Sequence, residues 1–288
     1  MGRGLLDRGA PGHDLAVEAS ARLGLDFVGL ACDAGEEELR ATEVAQPLLL
    51  LHSVALLRLV PAAHTPVAVA GHSLGEYTAL VASGALDVHA ALDLVRERGL
   101  AMAAAAAASP GQGMSAVLAA EEGPVATALQ EASRDGEVAV VANLNAPGQV
   151  VISGHVSALE RAAEPLKAAG ARRVMPLPVG GAFHSPLMRS AAERLAGAID
   201  AAPLRQGLPQ AFNVDGRIRT EPGEIREALK AQLTAAVRWV DCVAALIERG
   251  VGRFVELGPG STLTAMGKRI APDAEWVAVS TPAAAADL

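Results

Sequence analysis

The chain has 288 residues, 51% of them hydrophobic and 19% charged, which is enough for a large core or for a core carrying an inserted subdomain. A net charge of −8 argues against nucleic acid as the main partner, and two cysteines, Cys32 and Cys242, offer neither metal-ligand spacing nor a disulfide framework. No apolar signal core opens the chain, and its longest apolar stretch, Pro47 to Val60, is broken by His52, Ser53 and Arg58 and is too short for a bilayer, so a soluble cytoplasmic protein with no membrane partner is expected.

In chain order, Met1 to Gly12 carries little core-forming signal and no strand. Leu15 to Leu23 reads as a helix with Asp14 as its N-cap, and Glu36 to Thr42 as a short polar helix or turn. Gln46-Pro47 opens a helix with proline in the first turn, apolar nearly all round to about Val60 and therefore buried. Pro66 to Ala70 fits a buried strand, and Glu76 to Ala82 a helix. A further helix opens at Ala85 and runs through Arg98; Gly99 does not stop it, because the alanine run behind it favours helix, but Ser109-Pro110-Gly111 does.

The next stretch reads strand Met114–Leu118, helix Pro124–Ala132, strand Val138–Ala142, turn Asn145–Gly148, strand Gln149–Ser153 and helix Val156–Ala169. Arg173 to Val179 follows as an extended segment whose prolines suggest a sheet edge. That β-α-β-β-α-β order is the ferredoxin-like arrangement, a compact insert over 113–180 between core parts 1–112 and 181–288. The remainder reads helix Pro186–Ala201, strand Ala211–Val214, helices Glu224–Leu233 and Val237–Glu248, strand Phe254–Leu257, helix Ser261–Arg269 and strand Trp276–Ser280. Alternating strands and helices in the outer parts indicate an α/β protein with a parallel, doubly wound sheet.

Between the strand at Pro66 and the helix at Glu76 lies Gly71-His72-Ser73-Leu74-Gly75, a G-x-S-x-G turn in the context that this motif needs. The sharp turn lifts Ser73 out as a nucleophile, and the Leu74 backbone N–H at the helix start can face an oxyanion. The plain alternative is a tight glycine turn with a solvated serine. Of seven histidines, His72 is too close to the turn to reach Ser73 well. His13, His64 and His89 lie in solvated contexts, His52 reads as a satisfied core histidine and His155 lies near a helix cap. His184 lies in a glycine-rich loop, GGAFHSP, where the chain re-enters the main body, and is the candidate base, or else a cap for the next helix. Asp87, Asp93 and Asp135 lie between the two, and none ends a strand, so the third member is expected to be a backbone or amide oxygen. Arg98 is either a basic residue favoured late in a helix or a guanidinium fork for a substrate carboxylate.

GHSLGEYTAL, LVRERGLAM, NLNAPGQVVISG, LPVGGAFHSPLM, AVRW and VELGPGSTLTAMGKRI, in this order, resemble the malonyl-CoA:acyl carrier protein transacylase family over nearly the whole chain. The resemblance implies an α/β-hydrolase-like core with the ferredoxin-like insert, malonyl transfer from malonyl-CoA to an acyl carrier protein, and no cofactor. It implies that Ser73 carries the malonyl ester and that His184 is base and then acid. The backbone carbonyl of Gln232 would face the second His184 nitrogen, Arg98 the malonyl carboxylate, and Phe183 would mark malonyl selection.

Relatives in that family open with a strand and a PGQGS-type turn whose glutamine gives a second oxyanion contact. Nothing like it precedes Met1-Gly2-Arg3-Gly4, so the resemblance implies a shortened N-terminus, a lost central strand and a poorly soluble or nearly inactive chain. Ala235-Ala236 stands where relatives carry proline and reads as local loop geometry. An acyltransferase of a polyketide or malonate decarboxylase system, a hydrolase, and an inactive docking protein are the competing readings. An acidic carrier would need a basic patch, for which Arg189, Arg194, Lys268 and Arg269 are candidates.

Overall fold

The computed structural model describes residues 2–288. Residues 2–12 form consecutive turns without a strand, yet Leu5 and Leu6 are wholly buried, so the opening segment contributes to the core after all. α1 (His13–Leu23) takes Gly12 rather than Asp14 as its N-cap; Asp14 lies inside the first turn, where its charge meets the helix dipole. α2 (Phe27–Asp33), absent from the sequence reading, is capped by the Asp26 carboxylate, which accepts from Gly29 N at 2.9 Å.

α3 (Glu36–Arg40) is followed directly by α4 (Thr42–Leu57), which begins before the expected Gln46 and therefore holds Pro47 in its interior. Proline at 47 cannot donate to the Glu43 carbonyl one turn back. Arg96 supplies the lost donor, its Nη1 lying 2.7 Å from Glu43 O. That contact comes from α6 (Val88–Ala108), 21 residues long and opened by Asp87, whose side chain accepts from His89 N and Ala90 N. The helix thus starts at Val88 rather than Ala85. α4 and α6 pack so closely that a Cβ on Gly99 would lie 2.6 Å from Glu43 Cα, which is why glycine stands in mid-helix.

The expected strand at Pro66 shrinks to β1 (Val69–Ala70), half-buried, with Val67 72% exposed. β1 pairs in parallel with β6 (Gln210–Ala211), which turns at Gly216 (φ 72) into the antiparallel β7 (Ile218–Arg219). β8 (Arg253–Leu257) and β9 (Glu275–Val279) form a separate parallel pair. Among the described residues the expected single parallel sheet is therefore two ladders, one of them mixed. Among the described residues β1 has a hydrogen-bonded neighbour on one edge alone, and its ladder is two residues long.

Around these strands pack α5 (Gly75–Ala82), α9 (Arg189–Ala201), α10 (Pro222–Gln232), α11 (Trp239–Glu248), α12 (Thr262–Ile270) and α13 (Pro282–Ala286). With α4 and α6, several of them bury Leu48, Leu51, Tyr77, Leu80, Leu92, Val95, Leu195 and Leu229 in one cluster. Burial of each such aliphatic side chain contributes about 1.5–3 kcal/mol.

A four-stranded sheet fills the middle of the chain: β2 (Gln112–Leu118), α7 (Glu122–Ala132), β3 (Ala139–Ala146), β4 (Gln149–His155), α8 (Val156–Ala168) and β5 (Arg173–Pro176). The strand order is β3-β4-β2-β5 and every pair is antiparallel, with β5 at an edge as its prolines required. Val117, Val125, Leu129, Ile152 and Leu166 form its own core. β3 runs four residues beyond the expected Ala142, because its pairing with β4 continues to Ala146↔Gln149; Val237 adds a bridge on the other edge, where Leu144 N donates to Val237 O at 2.9 Å, and Val237 N to Ala142 O at 2.8 Å. Because Val237 is held in that bridge, α11 starts at Trp239 and not at Val237. Among the described residues, no helix is long and apolar enough to cross a membrane.

Candidate active site

The turn from β1 into α5 requires glycine at 71, where a Cβ would come within 1.9 Å of the Gly75 carbonyl carbon. Ser73 itself is in the left-handed region (φ 52), a conformation that costs a non-glycine residue about 1–2 kcal/mol. Asn213, just past β6, holds it there. Its Oδ1 accepts from Ser73 N at 2.6 Å and its Nδ2 donates to Gly71 O at 2.8 Å. Its own backbone N–H donates to the buried Glu76 carboxylate, whose other oxygen accepts from Gln232 Nε2. Burial pushes Glu76 up to about 8 despite those donors. The N–H of Leu74, at the N-terminus of α5, donates to no group among the described residues.

His184 Nε2 lies 2.7 Å from Ser73 Oγ, so the loop before α9 meets the turn after β1. Its Nδ1 is 3.1 Å from Gln232 O and 3.2 Å from Ala235 O. Two carbonyl oxygens accept and cannot donate, so Nδ1 carries the proton and Nε2 is left bare to accept from the serine hydroxyl. Burial, reinforced by the Arg98 charge, pulls His184 down to about 3 and keeps it neutral. Capping of the following turn falls to Ser185, whose Oγ accepts from Leu187 N, which removes the capping alternative for His184. No aspartate takes part: Asp87 caps α6, Asp93 pairs with Arg22 at 2.6 Å, and Asp135 is exposed in a left-handed turn. The groups behind His184 Nδ1 are thus the backbone oxygens of Gln232 and Ala235, so Ala235 is more than loop geometry.

Arg98 is the eleventh residue of α6 and 1% exposed, too far from either end for the helix dipole to explain it. Its Nη2 donates to Ser73 Oγ and to Gln232 Oε1, each at 3.0 Å, and its Nη1 to Gln46 Oε1 at 2.7 Å. The Tyr77 ring lies 5.9 Å from its guanidinium carbon. Burial pulls Arg98 below its ordinary value. Phe183 is half-buried against both the main cluster and the smaller one of Met114, Ala142 and Val151.

His72 points away from the serine, its Nε2 2.8 Å from Asn145 Oδ1 and its ring 5.8 Å from that of Trp239. His155 lies at the head of α8 and accepts from Val138 N; His13 begins α1, His64 meets Arg253, and His89 is exposed near Glu18. His52 departs from the sequence reading: it is buried with neither ring nitrogen hydrogen-bonded, and burial pulls it down to about 4. Four residues of the site escaped the sequence: Gln46, Glu76, Asn213 and Ala235. A glutamine and a glutamate within otherwise apolar helices were the only hints of the first two.

The acyl transferase domain family matches residues 14–283. This chain belongs to that family. As a member it is an acyltransferase. A malonyl CoA-acyl carrier protein transacylase of Bacillus subtilis is 39% identical over 284 residues, which cover 98% of this chain and 89% of the relative. An acyl carrier protein S-malonyltransferase from Vibrio cholerae, known from a crystal structure, has a TM-score of 0.90 at 40% identity, over 95% of this chain and 90% of its own. A malonyl-transacylase solved in complex with its type II PKS acyl-carrier protein is 38% identical with a TM-score of 0.90, over 95% of this chain and 89% of its own.

Proposed function

We propose that the chain transfers malonyl from malonyl-CoA to the phosphopantetheine thiol of an acyl carrier protein, through an ester on Ser73. The observation that carries this reading is that His184 Nε2 and Arg98 Nη2 both meet Ser73 Oγ, at 2.7 and 3.0 Å. A base and a cation at one hydroxyl suit attack on the thioester of an anionic acyl group.

Ser73 Oγ attacks the thioester carbon while its proton passes to His184 Nε2. The Gln232 and Ala235 carbonyls hold the Nδ1–H and stabilise the imidazolium. The oxyanion takes the Leu74 N–H at the head of α5. His184 returns the proton to the leaving CoA sulfur, and Arg98 holds the malonyl carboxylate. The carrier thiol then gives its proton to His184 and attacks the ester, and Ser73 leaves as its hydroxyl. These steps use no metal or cofactor. Phe183, the residue before His184 in the chain, narrows the acyl site in favour of malonyl.

We read the architecture as an α/β-hydrolase-like core, residues 1–112 and 181–288, with a ferredoxin-like insert over 113–180, and the protein as cytoplasmic. The antiparallel order β3-β4-β2-β5 and the separate hydrophobic core support the insert. For carrier docking, Arg189, Lys268 and Arg269 are exposed, whereas Arg194 is neutralised by Glu97 at 2.6 Å. A second reading, transfer to a polyketide carrier, is favoured by the similarity to the transacylase solved with its type II PKS carrier protein.

Intact mass spectrometry after brief incubation with malonyl-CoA, beside acetyl-CoA and a Ser73→Ala control, tests the proposal. One malonyl group on the Ser73 peptide, absent from the control and scarce with acetyl-CoA, is the expected result. Label on another residue, or equal loading by both thioesters, overturns it.

A further inference from the structure

We propose that Gln46 is a positioning residue that holds Arg98 in place without neutralising it, so that the guanidinium charge stays available to the carboxylate of the acyl group. This rests on the reading of Arg98 as the malonyl partner. An arginine as deeply buried as this one ordinarily pairs with a carboxylate. Arg98 does not: its hydrogen bonds go to Gln46 Oε1, Gln232 Oε1 and Ser73 Oγ, all neutral, and its Nε donates to nothing. Glu76, the carboxyl whose charge would reach it, is pushed up to about 8 by burial and has its oxygens occupied by Asn213 N and Gln232 Nε2.

Both glutamines are locked in the orientation that this requires. Gln46 Nε2 donates to Thr42 Oγ1 at 2.6 Å and contacts Met102 Sδ at 3.3 Å, which turns its oxygen to Arg98. Gln232 Nε2 donates to Ser73 O at 2.9 Å as well as to Glu76, with the same consequence on the other side of the guanidinium. A glutamate at position 46 would have the size and reach of glutamine. It would also form a buried ion pair with Arg98 and compete directly with the substrate carboxylate.

The test compares Gln46→Glu, Gln46→Met and Arg98→Gln for kcat and KM with malonyl-CoA, and for Ser73 loading by acetyl-CoA, which carries no acyl carboxylate. Gln46→Glu is expected to lower kcat/KM for malonyl-CoA by about ten- to a hundredfold, the worth of one charge-assisted contact, with most of the loss in KM. Acetyl loading is expected to fall by less than malonyl loading, because no acyl carboxylate has to be met. Gln46→Met, which adds no charge but removes the acceptor of Arg98 Nη1, is expected to lower kcat/KM for malonyl-CoA by about two- to tenfold, less than Gln46→Glu. Equal losses in both Gln46 variants would reduce Gln46 to packing and overturn the proposal. So would an unchanged preference in Gln46→Glu while Arg98→Gln loses it, which leaves the Arg98 reading intact. An unchanged preference in Arg98→Gln removes both. If Gln46→Glu does not fold, Gln46→Met decides alone: a kcat/KM for malonyl-CoA equal to the parent's overturns the proposal.

Discussion

Asn213 is the residue on which the shape of the nucleophile turn depends, and Asn213→Ala isolates that dependence. The substitution leaves the backbone bond to Glu76 in place and removes the side-chain bonds to Ser73 N and Gly71 O, together with the long contact to Cys242 Sγ. Gly71 is buried and Ser73 nearly so, and each orphaned backbone group costs about 1–3 kcal/mol. The expected loss of stability is therefore about 2–6 kcal/mol, or about 4–12 °C in Tm at about 2 °C per kcal/mol for a chain of this size. Chemistry should suffer too. Ser73 is held in the left-handed region and, once released, can relax and carry its Oγ away from His184 Nε2. A displacement of about 1 Å is worth about a hundredfold in rate. Calorimetry gives the first quantity, and quenched-flow mass spectrometry of Ser73 acylation gives the second. A variant melting within about 1 °C of the parent and acylating at the parent rate would refute the argument that Asn213 sets the turn.

Gly99→Ala should destabilise by about 1–3 kcal/mol in urea titration, although alanine is the better helix former, because the new Cβ meets the backbone of α4 at Glu43; a gain in stability would contradict this packing. His52 gives a pH prediction. Its folded value is about 4 against 6.5, so the unfolded chain takes the proton first; stability is complete above about 6.5 and falls as the pH drops towards 4. The full difference is worth about 3 kcal/mol, and His52→Leu, which leaves no orphaned nitrogens, should remove that part of the acid slope. Urea midpoints at pH 8 and 4.5 that shift equally in parent and variant would rule it out.

Ser73 and His184 were legible because local rules place them: a glycine-flanked turn between strand and helix, and a glycine loop where the chain re-enters the main body. The order strand, helix, strand, strand, helix, strand from β2 to β5 was legible for the same reason, since its elements change at turn residues. Arg98 stayed ambiguous, because its partners Gln46, Ser73 and Gln232 lie 52, 25 and 134 positions away in the chain. α4 was misplaced because proline is permitted inside a helix when a tertiary donor, here Arg96, covers the carbonyl it leaves bare. Gln46, Asn213 and Ala235 could not be read at all. Their roles come from contacts across 52, 140 and 51 positions of sequence, and no local pattern encodes such pairings.

The absence of an aspartate behind His184 follows the same logic as the amide cradle around Arg98. In the proposed reaction the substrate itself brings a carboxylate into the site, and Arg98 must meet it. A triad carboxylate close to Arg98 would compete for that charge and repel the incoming group. Backbone carbonyls from Gln232 and Ala235 fix the His184 tautomer as well as an aspartate would, while adding no charge. They stabilise imidazolium less, which accords with the low His184 value of about 3. Part of that deficit is offset at the other partner: Arg98 donates to Ser73 Oγ at 3.0 Å, and a cation there favours the developing alkoxide. Proton transfer in this site is therefore balanced by making the serine easier to deprotonate rather than by making the histidine a stronger base.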